Sequence, residues 1–316
     1  MTSLQEAIKI ALLHSLKMKT EESCLIVGDT ITSELAKKFY DVVSGLCHKA
    51  VYKEMSPNKI NGQEPPEKTA ELMLQFDVIL LITSKSLTHT KARRDASKKG
   101  ARIASMPGLT EDIAKRALAI DYAALKILNK EMIDFLKESA KVEITTKLGT
   151  NLTMGFRGRC WGGSRGGFLD EKGNYGNLPE GEVYAAPEDG TANGVWFVDI
   201  IPGIGVVEEP VKIMVENGVA TSITGKYAEK IKQMFVGLPP NAFVLAELGI
   251  GTNPKAKITG IILEDEKVLG TAHIALGNNM SFGGDNDVPI HLDLVFTKPT
   301  ITVDGRIFMR DGVLKV

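Results

Sequence analysis

The chain is short of the features that would place it in a membrane, in an oxidising compartment or on nucleic acid. Its three cysteines, Cys24, Cys47 and Cys160, are far apart, odd in number and without a CxxC pair. That argues against a disulfide framework and a thiolate zinc site, and fits a reducing cytoplasm. Charge of one sign is also lacking: 38 Lys and Arg stand against 39 Asp and Glu, a net charge of -1 at a pI near 6.6. With no broad field to attract polyanions, neither nucleic acid nor an anionic membrane is an expected partner. No run approaches the ~18–20 apolar residues that span a bilayer. The first twenty residues are interrupted by Gln5, Glu6, Lys9 and His14, so a signal-peptide core is missing, while Leu4, Ile8, Leu12 and Leu16 recur at helical spacing. Glycine motifs for nucleotides fail too. Gly203-Ile204-Gly205 and Gly249-Ile250-Gly251 have no third glycine at the dinucleotide offset, and six residues separate Gly218 from Gly225-Lys226 where a phosphate loop has four.

What is present is a globular composition, 43% hydrophobic and 24% charged over 316 residues, long enough for two domains at roughly 100–200 residues each. Residues 1–139 alternate apolar runs with helical patterns. Cys24–Val27, Asp77–Thr83 and Ala101–Met106 read as strands, with Ser33 and Asp121 as helix caps and Gly100 as a helix end. Pro65-Pro66 reads as a helix start. This βαβα rhythm predicts an α/β, doubly wound N-terminal domain. The helix from Asp121 to about Ala140 would connect it to residues 140–316. There the pattern becomes glycine-dense and strand-rich, with turn signals at Asn193-Gly194, Asn217-Gly218 and Asp304-Gly305. The expectation is an α+β C-terminal domain that houses a metal site.

The chemistry concentrates in that second half. In HIALGNNMSFGGDNDVPIHLD, His291 and Asp293 are two apart, so on a strand they point to one face. His273 offers a second imidazole, and two histidines with one carboxylate suffice to hold a divalent metal. An isolated His-x-Asp is more often a surface pair, but Glu182 in NLPEGEVYAAP and Glu247 in FVLAELGIG add carboxylates in apolar surroundings, where a lone Glu is costly unless paired. Five such groups carry enough carboxylate to bridge two metals. Arg157, Arg159 and Arg165 read first as surface pairs and second as anchors for a substrate carboxylate. Tyr184 and Trp196 read as core or rim aromatics, His14, His48 and His89 as structural, and Cys160 as a poor nucleophile.

NLPEGEVYAAP, AELGIG, HIALG and HLD, in that order over the last ~135 residues, resemble the metal-binding segments of the aminopeptidase T/aminopeptidase S family of metallopeptidases. The resemblance implies Glu182, Glu247, His273, His291 and Asp293 as ligands of two divalent ions (zinc, cobalt or manganese). It also implies a small peptide as substrate and a homodimer; a carboxylate such as Glu182 would suit general-base work on a metal-bound water, with the bridging and proton-abstracting roles left open between the glutamates. One departure is Met280, seven residues after His273, where that family has a tyrosine; methionine donates no hydrogen bond. AELGIGTNP with HIALGNNMSFGG is similar to a second branch, the dihydroxypyridine ring-cleaving dioxygenases. In that branch His273, His291 and Asp293 would form the facial triad of one iron(II), acting on oxygen and a dihydroxylated aromatic such as 2,5-dihydroxypyridine. The first expectation is therefore a two-metal aminopeptidase-like hydrolase, the alternative a mononuclear iron dioxygenase. A binding module without turnover stands as a third.

Overall fold

The computed structural model describes residues 2–315. The chain divides into two compact units, one running up to Lys126 and including Arg165–Glu180, the other made of Ile127–Ser164 and the chain from Gly181 onward. The division does not follow a single cut at residues 139/140, because a short strand from the middle of the chain completes the first unit's sheet.

In the first unit, α1 (Leu4–Ile10) carries the predicted apolar stripe and continues as a π-helical turn, Ala11–Ser15. It is followed by β1 (Ser23–Asp29), α2 (Ser33–Ser44), β2 (Lys49–Met55), α3 (Glu67–Met73), β3 (Val78–Ile82), α4 (Lys91–Lys98), β4 (Arg102–Ser105), α5 (Glu111–Ala117) and α6 (Tyr122–Leu136). The boundary between the units falls inside α6, whose first turn is capped by Asp121, its carboxylate accepting from Ala123 and Ala124 N–H at 3.0 Å. Ser33 is not a cap: it is the first helical residue, and Thr32 precedes it with its hydroxyl donated to the Ile82 carbonyl. The strands β5 (Lys141–Thr145) and β6 (Asn151–Gly155) belong to the second unit, whereas β7 (Tyr175–Asn177) pairs with β4. The sheet order is β2-β1-β3-β4-β7, parallel throughout. β1, β3 and β4 are buried along their whole length, as a parallel sheet covered on both faces demands.

The second unit is strand-rich. Its further elements are β8 (Glu182–Ala185), β9 (Asn193–Ile201), β10 (Gly205–Glu216), β11 (Val219–Thr224), α7 (Ala228–Gln233), β12 (Leu245–Gly251), α8 (Ile262–Asp265), β13 (Thr271–Gly277), β14 (His291–Thr297), β15 (Thr300–Val303), β16 (Arg306–Arg310) and β17 (Val313–Leu314). The sheet runs β17-β16-β15-β5-β6-β9-β14-β13-β12-β8, with β10 and β11 branching from β9. Asn217-Gly218 and Asp304-Gly305 form the expected hairpin turns, both residues of each at positive φ. Asn193-Gly194 does not turn. It opens β9, and a Cβ on Gly194 would lie 2.1 Å from the Asn151 carbonyl oxygen on β6, so glycine is there for close approach of two strands. The core of this unit includes Val183, Leu248, Ile250, Ile274, Leu276, Leu292, Leu294 and Trp196. No helix among the described residues is long and apolar enough to cross a membrane.

Candidate metal centre

Strand register brings the predicted residues together. Glu182 lies opposite Gly251 on β12, Gly249 opposite His273 on β13, and Glu247 opposite Ala275. Ala275 in turn lies opposite Asp293 on β14, and Gly277 opposite His291. Because side chains alternate between faces, Glu182, Glu247, His273, His291 and Asp293 share one face of four adjacent strands. The alternate residues, Val183, Leu248, Ile250, Ile274, Leu276, Leu292 and Leu294, enter the core on the other. The positions between the polar groups are small: Gly249, Gly251, Ala275 and Gly277. At Gly249 this is a steric requirement, since a Cβ there would lie 2.0 Å from His273 Nε2 and 2.1 Å from its Cε1.

The side chains meet closely. His273 Nε2 is 3.3 Å from Glu182 Oε2 and 3.5 Å from Glu247 Oε1, and His291 Nε2 is 3.0 Å from Glu247 Oε2 and 3.3 Å from Asp293 Oδ1. Donor atoms close up in three groups: Glu182, Glu247 and His273; Glu247, His291 and Asp293; and Glu266, His273 and Asp293. The two imidazoles thus fall in different groups, linked through Glu247 and through Asp293. The His291 Nδ1 is 2.6 Å from the Asn278 carbonyl oxygen, which can only accept, so Nδ1 carries the proton and Nε2 is directed to the cluster. The Phe282 ring stacks on His291 at 4.6 Å and meets Tyr184 edge-on.

Electrostatics follow from burying these charges together. Burial presses His273 towards its neutral form, but Glu247, Glu182 and Asp293 outweigh it and raise its pKa to about 9. His291 is likewise raised well above the usual imidazole value, burial being overcome by Asp293 and Glu247. Burial opposes ionisation of Glu247 and Asp293 as well, yet the two imidazoles hold both below the ordinary carboxylate range. Protons therefore supply the positive charge that a divalent cation would supply in their place. The donor set fits such a cation: Nε2 of His273 and Oε2 of Glu182, which face one another across the cluster, are buried without a hydrogen-bond partner, which is costly unless something else meets them.

Two residues of the cluster were not among the sequence candidates. Lys267 Nζ lies 2.5 Å from Glu182 Oε1 and 2.7 Å from Glu266 Oε1, and Lys267 and Glu266 are both buried. Burial, with Asp293 and Glu182 adding to it against Lys267, lifts the Glu266 pKa to about 8. Their one signal is the charged quartet Glu264-Asp265-Glu266-Lys267 immediately before an apolar strand. The other sequence candidates fall elsewhere. Arg159 donates to the Gly283 carbonyl and pairs with Asp189, Arg165 donates to Asn174, and the Arg157 backbone N–H donates to Glu188. Trp196 is core, and His14, His48 and His89 lie in the first unit. Met280 is 54% exposed.

Fold and site together define a mixed α/β protein whose strand-rich unit holds a buried histidine–carboxylate centre suited to a metal ion. Its family follows from comparison with known proteins. The family model described as NicX: 2,5-dihydroxypyridine 5,6-dioxygenase matches residues 7–316, and the chain belongs to that family. A curated relative, 2,5-dihydroxypyridine 5,6-dioxygenase of Pseudomonas putida KT2440, is 23% identical over 248 residues, covering 74% of this chain and 70% of the relative. The solved structure of 2,5-dihydroxypyridine dioxygenase from Pseudomonas putida KT2440 superposes with a TM-score of 0.82 at 16% identity, covering 100% of this chain and 99% of that one. Wild-type AmpT from Thermus thermophilus superposes with a TM-score of 0.72 at 17% identity, covering 99% of each chain. These two likenesses show a shared fold. The aminopeptidase expectation is corrected by the family match, which spans nearly the whole chain and is to the dioxygenases; the peptide substrate goes with it.

Proposed function

We propose that this protein is a ring-cleaving dioxygenase acting on a dihydroxylated nitrogen heteroaromatic, with 2,5-dihydroxypyridine as the first substrate to test. In this reading one iron(II) is held by His273, His291 and Asp293. The observation that carries it is the conjunction of a family match over residues 7–316 with two histidines and an aspartate on one sheet face. Iron(II) bound there supplies the redox chemistry that oxygen activation requires. Glu247 lies against both imidazoles in the metal-free centre, and in this reading it is the carboxylate that would accept a proton from a substrate hydroxyl once iron replaces the imidazole protons. Phe282, stacked on His291 and edge-on to Tyr184, offers an aromatic wall beside the centre.

The test is oxygen consumption by iron-loaded, anaerobically prepared protein on addition of 2,5-dihydroxypyridine, run beside release of amino acids from aminoacyl-anilides. Substrate-dependent oxygen uptake with no anilide cleavage is expected. Anilide cleavage without oxygen uptake would overturn the reading.

A further inference from the structure

One cation is already built into the centre. Lys267 has a side chain only 1% exposed, and its ammonium bridges Glu182 Oε1 and Glu266 Oε1 at 2.5 and 2.7 Å. The backbone fixes it there. Lys267 N–H donates to the Glu264 carbonyl at 2.9 Å, its carbonyl accepts from Asn253 N–H at 2.8 Å, and the segment passes over Gly251, where a Cβ would lie 2.1 Å from the Val268 carbonyl oxygen. Gly251 is the residue opposite Glu182 on the neighbouring strand. The absence of a side chain at Gly251 therefore lets the lysine segment sit against the sheet face that carries the acid. Burying an ammonium costs hydration and side-chain freedom, and the acceptor oxygens of Glu182 and Glu266 meet it.

The consequence concerns metal number. Glu182, Glu247, Glu266 and Asp293 are enough carboxylate for two divalent ions, which in bridged centres sit roughly 3.5–4 Å apart. Here one oxygen of Glu182 and one of Glu266 face an ammonium, and a divalent ion brought that close to it would be strongly repelled. We propose that Lys267 takes the place of a second metal ion: its ammonium occupies Oε1 of Glu182 and Oε1 of Glu266 and restricts the centre to a single divalent cation. The inference rests on the one-metal reading above, and adds a cause for the number that does not depend on which reaction the metal serves.

The experiment counts cobalt(II) bound per chain. Wild-type protein, Lys267→Ala, Lys267→Asn and Lys267→Arg are dialysed to equilibrium against excess cobalt(II) chloride, and the metal is measured by mass spectrometry, with folding followed by circular dichroism. Wild type and Lys267→Arg, which keeps a cation, are expected to hold one ion. The two neutral variants are expected to hold two. Two ions on the wild type, or one on folded neutral variants, would overturn the proposal. If the neutral variants unfold without metal because two acids are left unpaired, refolding from urea with excess cobalt(II) must restore the fold with two ions per chain; failure to do so also overturns it. A wrong reaction assignment would appear differently, as no oxygen uptake by iron-loaded wild type with the cobalt counts unchanged.

Discussion

Gly249→Ala is the most informative single change in the centre. Gly249 does not have a positive φ, so alanine is compatible with the strand backbone, and what it meets is the His273 ring. The new Cβ would stand 2.0 Å from Nε2 and 2.1 Å from Cε1, against an ordinary contact of about 3.5 Å, so the ring must move by roughly 1.5 Å. His273 is fully buried, and overpacking of this kind costs about 1–3 kcal/mol. A displacement of that size takes the imidazole out of register with Glu247 and Asp293, and iron affinity should fall at least as far as on loss of an orienting partner, about 10–100-fold. Stability would be read by urea unfolding of the metal-free protein, and affinity by competition with a chromophoric chelator. Placing the same change in a His273→Ala background should abolish the stability cost, because the atom it collides with is gone. A Gly249→Ala protein with unchanged stability and metal affinity would refute the placement of His273 over this glycine.

Three further outcomes are expected. Asp293→Ala should fold and lose its iron on gel filtration, since Asp293 belongs to two of the three donor groups; full metal content in the variant would remove Asp293 from the ligand set. Phe282→Ala should weaken iron binding about fivefold, on the order of 1 kcal/mol for a lost ring stack on His291, and an unchanged affinity would show that the stack does not orient the imidazole. The metal-free protein should lose stability on going from about pH 6.5 to 9. His273 titrates near 9 when folded and near 6.5 when unfolded, so its contribution is full below 6.5 and gone above 9, on the order of 3 kcal/mol. Glu266, an acid raised to about 8, works in the same direction as it ionises. Bound metal displaces the imidazole protons, so the loaded protein should show a flatter profile, and parallel profiles with and without metal would contradict the proton-for-metal exchange.

Much of the centre was legible because it depends on local periodicity. The two-residue spacing of His291 and Asp293 fixes their common face once β14 is a strand, and Glu182, Glu247 and His273 fall into line through antiparallel register. Lys267 and Glu266 were not legible in the same way. Their approach depends on how residues 252–270 fold back over Gly251, a tertiary event that no spacing reports. Asn193-Gly194 shows the same limit, for its glycine answers a contact with Asn151 rather than a local turn. The return of Arg165–Glu180 to the first unit likewise rests on β7 pairing with β4, which three residues of strand do not announce. The reaction was the hardest part, since the five candidate ligands serve either a hydrolytic or an oxidative reading, and a ligand set on a shared fold does not by itself choose between chemistries.

The central claim is tested most directly with isotopically labelled oxygen. Iron-loaded protein is mixed with 2,5-dihydroxypyridine under labelled dioxygen, and the product is weighed by mass spectrometry. Both labelled atoms in a ring-opened product, in wild type and not in Asp293→Ala, is the result this account predicts. Unlabelled product, or substrate returned intact by protein carrying its iron, would contradict it.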